Sequence, residues 1–266
     1  MTKVLGVTSS MVKILFHHIP KTGGTTINNY FASLFPQEEI WTSDFISKER
    51  RFLRQTLEKS NLEYDDHRWE FYFNQLSFIG GHFNMIERAP ASVFKFTILR
   101  EPVSRTISQY QDWQRLTSSD IESDPPLVKE AKTLSKNLPI KDFLNVNNGY
   151  MQRNFHNLQC KSLIPPCLIP EGETNLLSGE ELLSYATNAI EKLDFVGVTE
   201  KLLDSLNIVL ERNGFPKLES IGHHNSTKKN KEINEDDLEA INQINQADIA
   251  LYSKFREKFE HKYYLA

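Results

Sequence analysis

The stretch that most limits how this chain can fold lies between Met11 and Phe35. Met11-Val-Lys-Ile-Leu-Phe-His17 is an apolar run of strand length, and a glycine-bearing loop, Pro20-Lys21-Thr22-Gly23-Gly24-Thr25-Thr26, follows it. From Thr25 to Phe35 the apolar side chains Ile27, Tyr30, Phe31 and Leu34 recur at helical spacing, and Pro36 ends the run. Strand, glycine turn and helix in that order open an α/β unit, in which parallel strands are covered by helices. Later segments fit the same plan. Residues 76–79 ahead of Gly80-Gly81-His82, the nearly all-apolar residues 92–99, and residues 194–198 read as further strands. A strand buried on both faces loses the polar alternation of a one-sided sheet, as residues 92–99 do.

Helices are predicted peripherally over 47–62, from Pro102 to Leu116, over 179–192, over 200–213 and over 236–259. Proline in the first turn suits a helix beginning at Pro102, and Gly214 suits the end of the helix before it. Residues 117–140 are rich in Ser, Asp, Pro and Lys and read as an exposed insertion with room for one helix. With 266 residues, 39% of them hydrophobic, the chain can bury one large core, so a single domain over 1–266 is expected. The formal charge of −4 predicts no nucleic-acid partner and no anionic membrane surface, so any anion site must be local. The polar opening residues and the lack of a run of ~18 apolar residues predict a soluble, cytoplasmic chain with no membrane segment. Cys160 and Cys167, seven residues apart, fit no zinc spacing and form no disulfide framework; reduced thiols are expected.

The loop at 20–26 has a direct chemical reading. Glycines let the backbone turn sharply and approach an anion, and the free N–H groups at the start of the next helix face it. Lys21 adds a mobile cation, and Thr25 and Thr26 add hydroxyl donors. A plain strand-to-helix turn is the alternative. The Gly-Lys-Ser/Thr order of the common ATP and GTP loops is absent, because Lys21 precedes Gly23 and Gly24. The second half of such a site would be Leu99-Arg100-Glu101-Pro102-Val103-Ser104-Arg105-Thr106-Ile107-Ser108, which follows the most apolar strand. Ligands of an open parallel sheet bind beyond the carboxyl ends of its strands, so Arg100 and the loop can face one crevice. Arg100 offers a planar fork of donors, and Ser108 stands one turn beyond Ser104 on the same helix face. Taken singly, Arg100 fits a surface ion pair and Ser108 a solvated helix residue; together with the loop they do not.

His18-Ile-Pro-Lys-Thr-Gly-Gly-Thr-Thr26, taken with Leu99 to Ser108, resembles the two nucleotide-binding signatures of the sulfotransferases. The likeness is to the carbohydrate branch that includes the heparan sulfate 2-O- and 6-O-sulfotransferases. It implies a P-loop-like central parallel sheet flanked by helices, with helical insertions and a helical C-terminus. It implies that Lys21, Thr22, Gly23, Gly24, Thr25 and Thr26 hold the 5′-phosphosulfate of 3′-phosphoadenosine 5′-phosphosulfate (PAPS), and that Arg100 and Ser108 hold its 3′-phosphate. Phe195-Val-Gly-Val-Thr-Glu200 is similar to a later family segment, and Asn225-Ser-Thr-Lys228-Lys229 resembles its basic loop near the cofactor. Lys228 and Lys229 are therefore candidates to close over the phosphates, with a solvated basic turn as the alternative.

Sulfuryl transfer needs a base for the attacking hydroxyl. His82, at the end of a predicted strand on the sheet edge that carries the loop, is chemically suited, and Gly81-His82 resembles the Gly-His of the catalytic histidine in 2-O-sulfotransferase-like enzymes. Glu101, His17 and His18 are its rivals, and a turn-capping histidine is the bland alternative. Lys21 would stabilise charge developing on the leaving oxygen. The implied reaction is transfer of sulfate from PAPS to a hydroxyl of a carbohydrate or glycosylated acceptor, without a metal. Another phosphate-loop transferase, such as a small-molecule kinase, and a non-catalytic nucleotide-binding module are the rival functions. Acceptor choice is expected to reside in 36–76 and in a variable insertion at 117–175, where Gln152 and Arg153 are candidate cleft residues.

Overall fold

A parallel sheet of five short strands organises the chain, which is described here from a computed structural model covering residues 13–42, 74–82, 84–170, 172–221 and 233–263. The strands are β1 (Ile14–His17), β2 (Ile40–Thr42), β3 (Phe78–Gly81), β4 (Phe94–Leu99) and β5 (Phe195–Val198). They lie in the order β2-β3-β1-β4-β5, and every adjacent pair is parallel. From β1 the chain goes to the β2 edge, returns through β3 and then crosses β1 to reach β4. The strand order therefore reverses at β1, which places a crevice beyond its carboxyl end. His17, the last residue of β1, is level with Gly81 of β3 and Thr97 of β4.

Helices cover this sheet. The described ones are α1 (Gly24–Leu34), α2 (Pro102–Arg115), α3 (Ser118–Ile121), α4 (Pro126–Asn137), α5 (Ile140–Leu144), α6 (Gly149–Phe155) and α7 (Leu158–Leu163). They continue with α8 (Gly179–Ile190), α9 (Leu202–Arg212), α10 (Glu235–Ile244) and α11 (Gln246–Tyr263). Sheet residues such as Phe16, Phe78, Phe96 and Ile98 pack with Ile27 and Phe31 of α1, Leu206 and Leu210 of α9, and Leu251 of α11 in the main core. No helix among the described residues is long and apolar enough to cross a membrane.

The α/β expectation holds, with three local corrections and one point outside the described residues. Strand β3 continues through Gly80 and Gly81, where the sequence suggested a turn. The cause is steric: a Cβ on Gly80 would come within 2.3 Å of Asn28 Oδ1 on α1, so only glycine lets strand and helix pass this closely. Strand β2 was not anticipated, because three residues carry no readable periodicity. The predicted helix at 47–62 lies outside the described residues. The C-terminal helix is two helices, broken at Asn245. The buried Asn245 side chain donates to Thr106 Oγ1 (3.1 Å) and accepts from the Asn157 backbone N–H (3.1 Å), which fixes the bend against α2 and the start of α7.

The largest difference concerns 117–140. Instead of an exposed insertion with one helix, it holds α3 and α4, and α5 to α7 follow directly. Ala131, Ile140, Phe143, Leu144, Met151 and Phe155 form a second core with Tyr110 and Trp113 of α2 and Ile241 of α10. Thr117 and Asp120 make a capping box for α3, while Pro126 opens α4 with its fixed φ. The polar composition belongs to the outer faces of these short helices.

His156, at the carboxyl end of α6, is half-buried, and its buried Nε2 has no hydrogen-bond partner among the described residues. Burial first, and the nearby Lys161 charge second, push this imidazole down to about 4. A histidine kept neutral by folding contributes stability that is present above the unfolded value of ~6.5 and is lost as pH falls toward 4. Thermal and urea unfolding between pH 7 and pH 4 should show a loss reaching about 3 kcal/mol from this group. His156→Gln should flatten that part of the curve; an identical pH slope in the variant would contradict the assignment.

Candidate active site

The loop after β1 has an unusual backbone. Lys21 (φ 69°) and Gly23 (φ 89°) both occupy the left-handed region, and α1 begins at Gly24. For Lys21, with a side chain, that conformation must be held from outside. Arg100, at the end of β4, does so: its Nη1 donates to Lys21 O at 2.9 Å. Thr199, at the end of β5, acts on the next residue, with Oγ1 2.9 Å from Thr22 O and 3.1 Å from Leu99 O. The Thr22 side chain is fully buried and donates to Ile19 O (2.8 Å), so Thr22 can offer a ligand only its backbone. Two successive loop carbonyls are thereby engaged by side chains from neighbouring strands. The N-terminus of α1 has no side-chain cap, and its first-turn N–H groups are the ones an anion can use.

Gly24 is required by contact. A Cβ there would fall 1.9 Å from both Cδ2 and Nε2 of His18, whose ring lies flat against the helix start. The same ring stacks on Phe16 (centroids 5.4 Å apart) and packs against His82 at 4.1 Å. Burial chiefly, together with the charges of His82, His17 and Lys21, pushes the His18 imidazole well below its usual range, so His18 is neutral.

His82 directly follows β3 and is exposed. Its Nδ1 lies 2.8 Å from the backbone carbonyl of His18. A carbonyl only accepts, so Nδ1 carries the proton of the neutral ring and Nε2 keeps its lone pair. The other candidate bases are held differently. Glu101 caps α2, accepting from the N–H groups of Val103 (2.9 Å) and Ser104 (2.7 Å). His17 lies inside the sheet, and His18 is buried under the loop.

Arg100 is itself held at both ends. Its backbone N–H donates to Gln159 Oε1 and its carbonyl accepts from Gln159 Nε2, both at 2.9 Å. Burial lowers the affinity of its guanidinium for the proton, and the nearby carboxylates of Glu200 and Glu101 oppose that shift. Gln159 lies in the first turn of α7, whose N-terminus is capped from α11: Asp248 accepts from Gln159 N (2.9 Å) and Cys160 N (2.8 Å). Gln159, Asp248 and Thr199 were not anticipated. They join positions far apart in the chain, and nothing in the local pattern marks them.

Pro20, Lys21, Gly23 to Thr26, His82, Arg100 and Ser108 all line one cleft of ≈ 1320 Å³. Ser108 is nearly buried on α2, and Asp112, one turn further on, places its carboxylate 3.1 Å from Lys21 Nζ. The far wall comes from the helical insertion, through Lys132, Tyr150 and Arg153. Tyr150 stacks on Trp113 (5.6 Å, 8° between planes), and the Arg153 guanidinium lies 5.5 Å from the Tyr150 ring. Gln152 instead turns its amide to Asn147, 3.4 Å away. Lys228 and Lys229 lie outside the described residues. Cys160 is buried and Cys167 exposed, both as free thiols.

A sequence model of the sulfotransferase family matches residues 7–263. Human heparan-sulfate 6-O-sulfotransferase 1 is 25% identical over 193 residues, which cover 66% of this chain and 46% of that protein. Human heparan-sulfate 6-O-sulfotransferase 2 is 25% identical over 182 residues, covering 63% of this chain and 29% of that protein, and its mouse counterpart matches equally. The chain spans less than half the length of these curated relatives.

The contact between Gly24 and His18 can be tested without any ligand. Gly24→Ala should destabilise the fold by about 1–3 kcal/mol through overpacking and should move the His82 C2–H NMR signal. His18→Ala in the same background should recover most of the lost stability. If urea unfolding of Gly24→Ala matches wild type, the close approach is wrong.

Proposed function

This chain belongs to the sulfotransferase family, and from that premise we propose that it moves the sulfuryl group of PAPS to a hydroxyl of a carbohydrate or glycosylated acceptor, with His82 as general base. One observation carries the reading: the glycine loop, Arg100, Ser108 and His82 line a single cleft. Its volume exceeds the ~300–1000 Å³ usual for one small ligand, which leaves room for nucleotide and acceptor side by side.

The residues fit a nucleotide with two separate phosphate positions. The uncapped start of α1, the Lys21 ammonium and the Thr25 and Thr26 hydroxyls suit the 5′ end. One N–H of Arg100 is engaged with Lys21 O, and the guanidinium has further donors to share with Ser108 at the 3′-phosphate. PAPS supplies an activated sulfuryl group on a phosphate leaving group. His82 takes the proton of the attacking hydroxyl on Nε2 as the new oxygen–sulfur bond forms and the sulfur–oxygen bond to phosphate breaks. The Nδ1–H stays on the His18 carbonyl, which orients the ring and stabilises the resulting imidazolium. Lys21 balances the negative charge gathering on the departing phosphate oxygen. A neutral His18 matters here, because a second positive charge packed against the ring would weaken His82 as a base.

The carbohydrate acceptor is argued from the likeness to the heparan-sulfate 6-O-sulfotransferases. Tyr150 on the cleft wall agrees with it, since its phenol hydroxyl can pair with the hydroxyls of a sugar ring.

His82→Ala should lower turnover by about 10²–10⁴-fold, the span of general base catalysis, while the affinity for 3′-phosphoadenosine 5′-phosphate (PAP) by calorimetry stays within a factor of two. Arg100→Ala should weaken PAP binding by about tenfold or more. Wild-type turnover by the first variant would remove His82 from the mechanism, and wild-type affinity in the second would remove Arg100 from the nucleotide site. Preference for ATP over PAP would replace the sulfotransfer reading as a whole.

A further inference from the structure

An acidic side chain stands where the cleft otherwise collects anion-binding groups. Asp112 lies on α2 one turn past Ser108, lines the same cleft and sits 3.1 Å from the Lys21 ammonium. We infer that Asp112 competes with the nucleotide for Lys21: it holds the ammonium in the nucleotide-free enzyme, yields it when the phosphosulfate end arrives, and takes it back as the product nucleotide leaves. This rests on the cleft being the nucleotide site.

Three features support the exchange. First, the Lys21 backbone is immobilised, since its left-handed φ is held by Arg100 on its carbonyl. Only the side chain is left to move, so the ammonium changes partner without disturbing the loop. Second, the pair is weak enough to give way. The two side chains are 25% and 46% exposed, and partly solvated pairs of this kind are worth a factor of about five or less in an equilibrium. A multiply charged phosphate cradled by helix N–H groups outcompetes a single carboxylate. Third, Asp112 has somewhere to go. Being half exposed on the rim of the cleft, it can rotate outward into water, where its repulsion of the entering anion is screened.

The carboxylate thus acts as a stand-in anion. It neutralises Lys21 when no phosphate is present, and it lowers the net affinity for nucleotide by the strength of the contact that must be broken. The lowered affinity applies equally to PAP, the product that must depart before the next turnover. Asp112 is a positioning residue in this scheme; it acts through Lys21.

The test is a double-mutant cycle read by calorimetric titration of PAP into wild type, Asp112→Asn, Lys21→Ala and the double variant. Asp112→Asn should tighten PAP binding by about three- to fivefold. In the Lys21→Ala background the same change should shift the affinity by less than twofold, because no ammonium remains to compete for. A purely structural disturbance would not tighten binding. Unchanged or weaker binding by Asp112→Asn would overturn the competition. An equal gain with and without Lys21 would also overturn it, since simple repulsion would then be the whole effect. Failure of wild type itself to bind PAP would instead remove the nucleotide site, and the competition with it.

Discussion

The arrangement depends on two hydrogen bonds to the backbone of the loop after β1: Arg100 Nη1 to Lys21 O, and Thr199 Oγ1 to Thr22 O. A loop shaped to bind an anion must direct its N–H groups inward, and its carbonyls then need partners elsewhere. Arg100 and Thr199 supply them from the ends of β4 and β5, so the three strand ends are fastened together at the point where strand order reverses. Arg100 is fastened in turn. Gln159 pairs with both its backbone groups, Asp248 pairs with the backbone of Gln159, and Asp248 belongs to α11. The C-terminal helix is thereby coupled to a loop more than 220 residues earlier through four residues, each in direct contact with the next.

His18 is the second point of convergence. Its carbonyl selects the tautomer of His82, and its ring fills the space that Gly24 leaves open. Its burial keeps it uncharged. The loop after β1 and the His82 ring are thus in contact through one intervening side chain. A displacement of the α1 N-terminus would be felt at His82 directly.

How much of this could be read from the chain follows from how local each signal is. The opening strand–loop–helix and the strand at β4 were legible, because each is a continuous local pattern. β2 was too short to show a period, and the glycines of β3 resemble a turn until Asn28 is seen against them. The insertion was misjudged for a physical reason: short helices around a small core expose most of their residues, so their composition is that of a loop. Asp112 carries no local sequence signal, and it is the Lys21 ammonium 3.1 Å away that brings it into view. The bonds of Gln159, Asp248 and Asn245 cross intervals of 59 to 139 residues, beyond anything that periodicity reports.

Specificity is usually credited to loops, yet here the cleft wall beyond the loop, Arg100 and Ser108 is helical. Tyr150 and Arg153 lie on α6, whose Phe155 and Met151 are fully buried in the second core. The end of that helix is tied down by a fully buried arginine: Arg105 Nη2 lies 3.4 Å from both Asn154 O and Phe155 O. Arg105 holds this place at a cost, for its Nε and Nη1 have no hydrogen-bond partner among the described residues and burial lowers its guanidinium to about 10. The charge of Asp248 opposes that shift, and burial raises the Asp248 carboxyl in turn while Arg105 and the capped N–H groups lower it. Two buried ionic groups would be expensive separately; here each charge offsets part of the other's burial cost at the junction of α2, α6, α7 and α11. Because Arg105 is one turn N-terminal of Ser108, the helix that carries Ser108 also ties down the end of α6, which carries Tyr150 and Arg153. The spacing between the α2 and α6 sides of the cleft is therefore set by rigid packing, as the proposed in-line transfer requires.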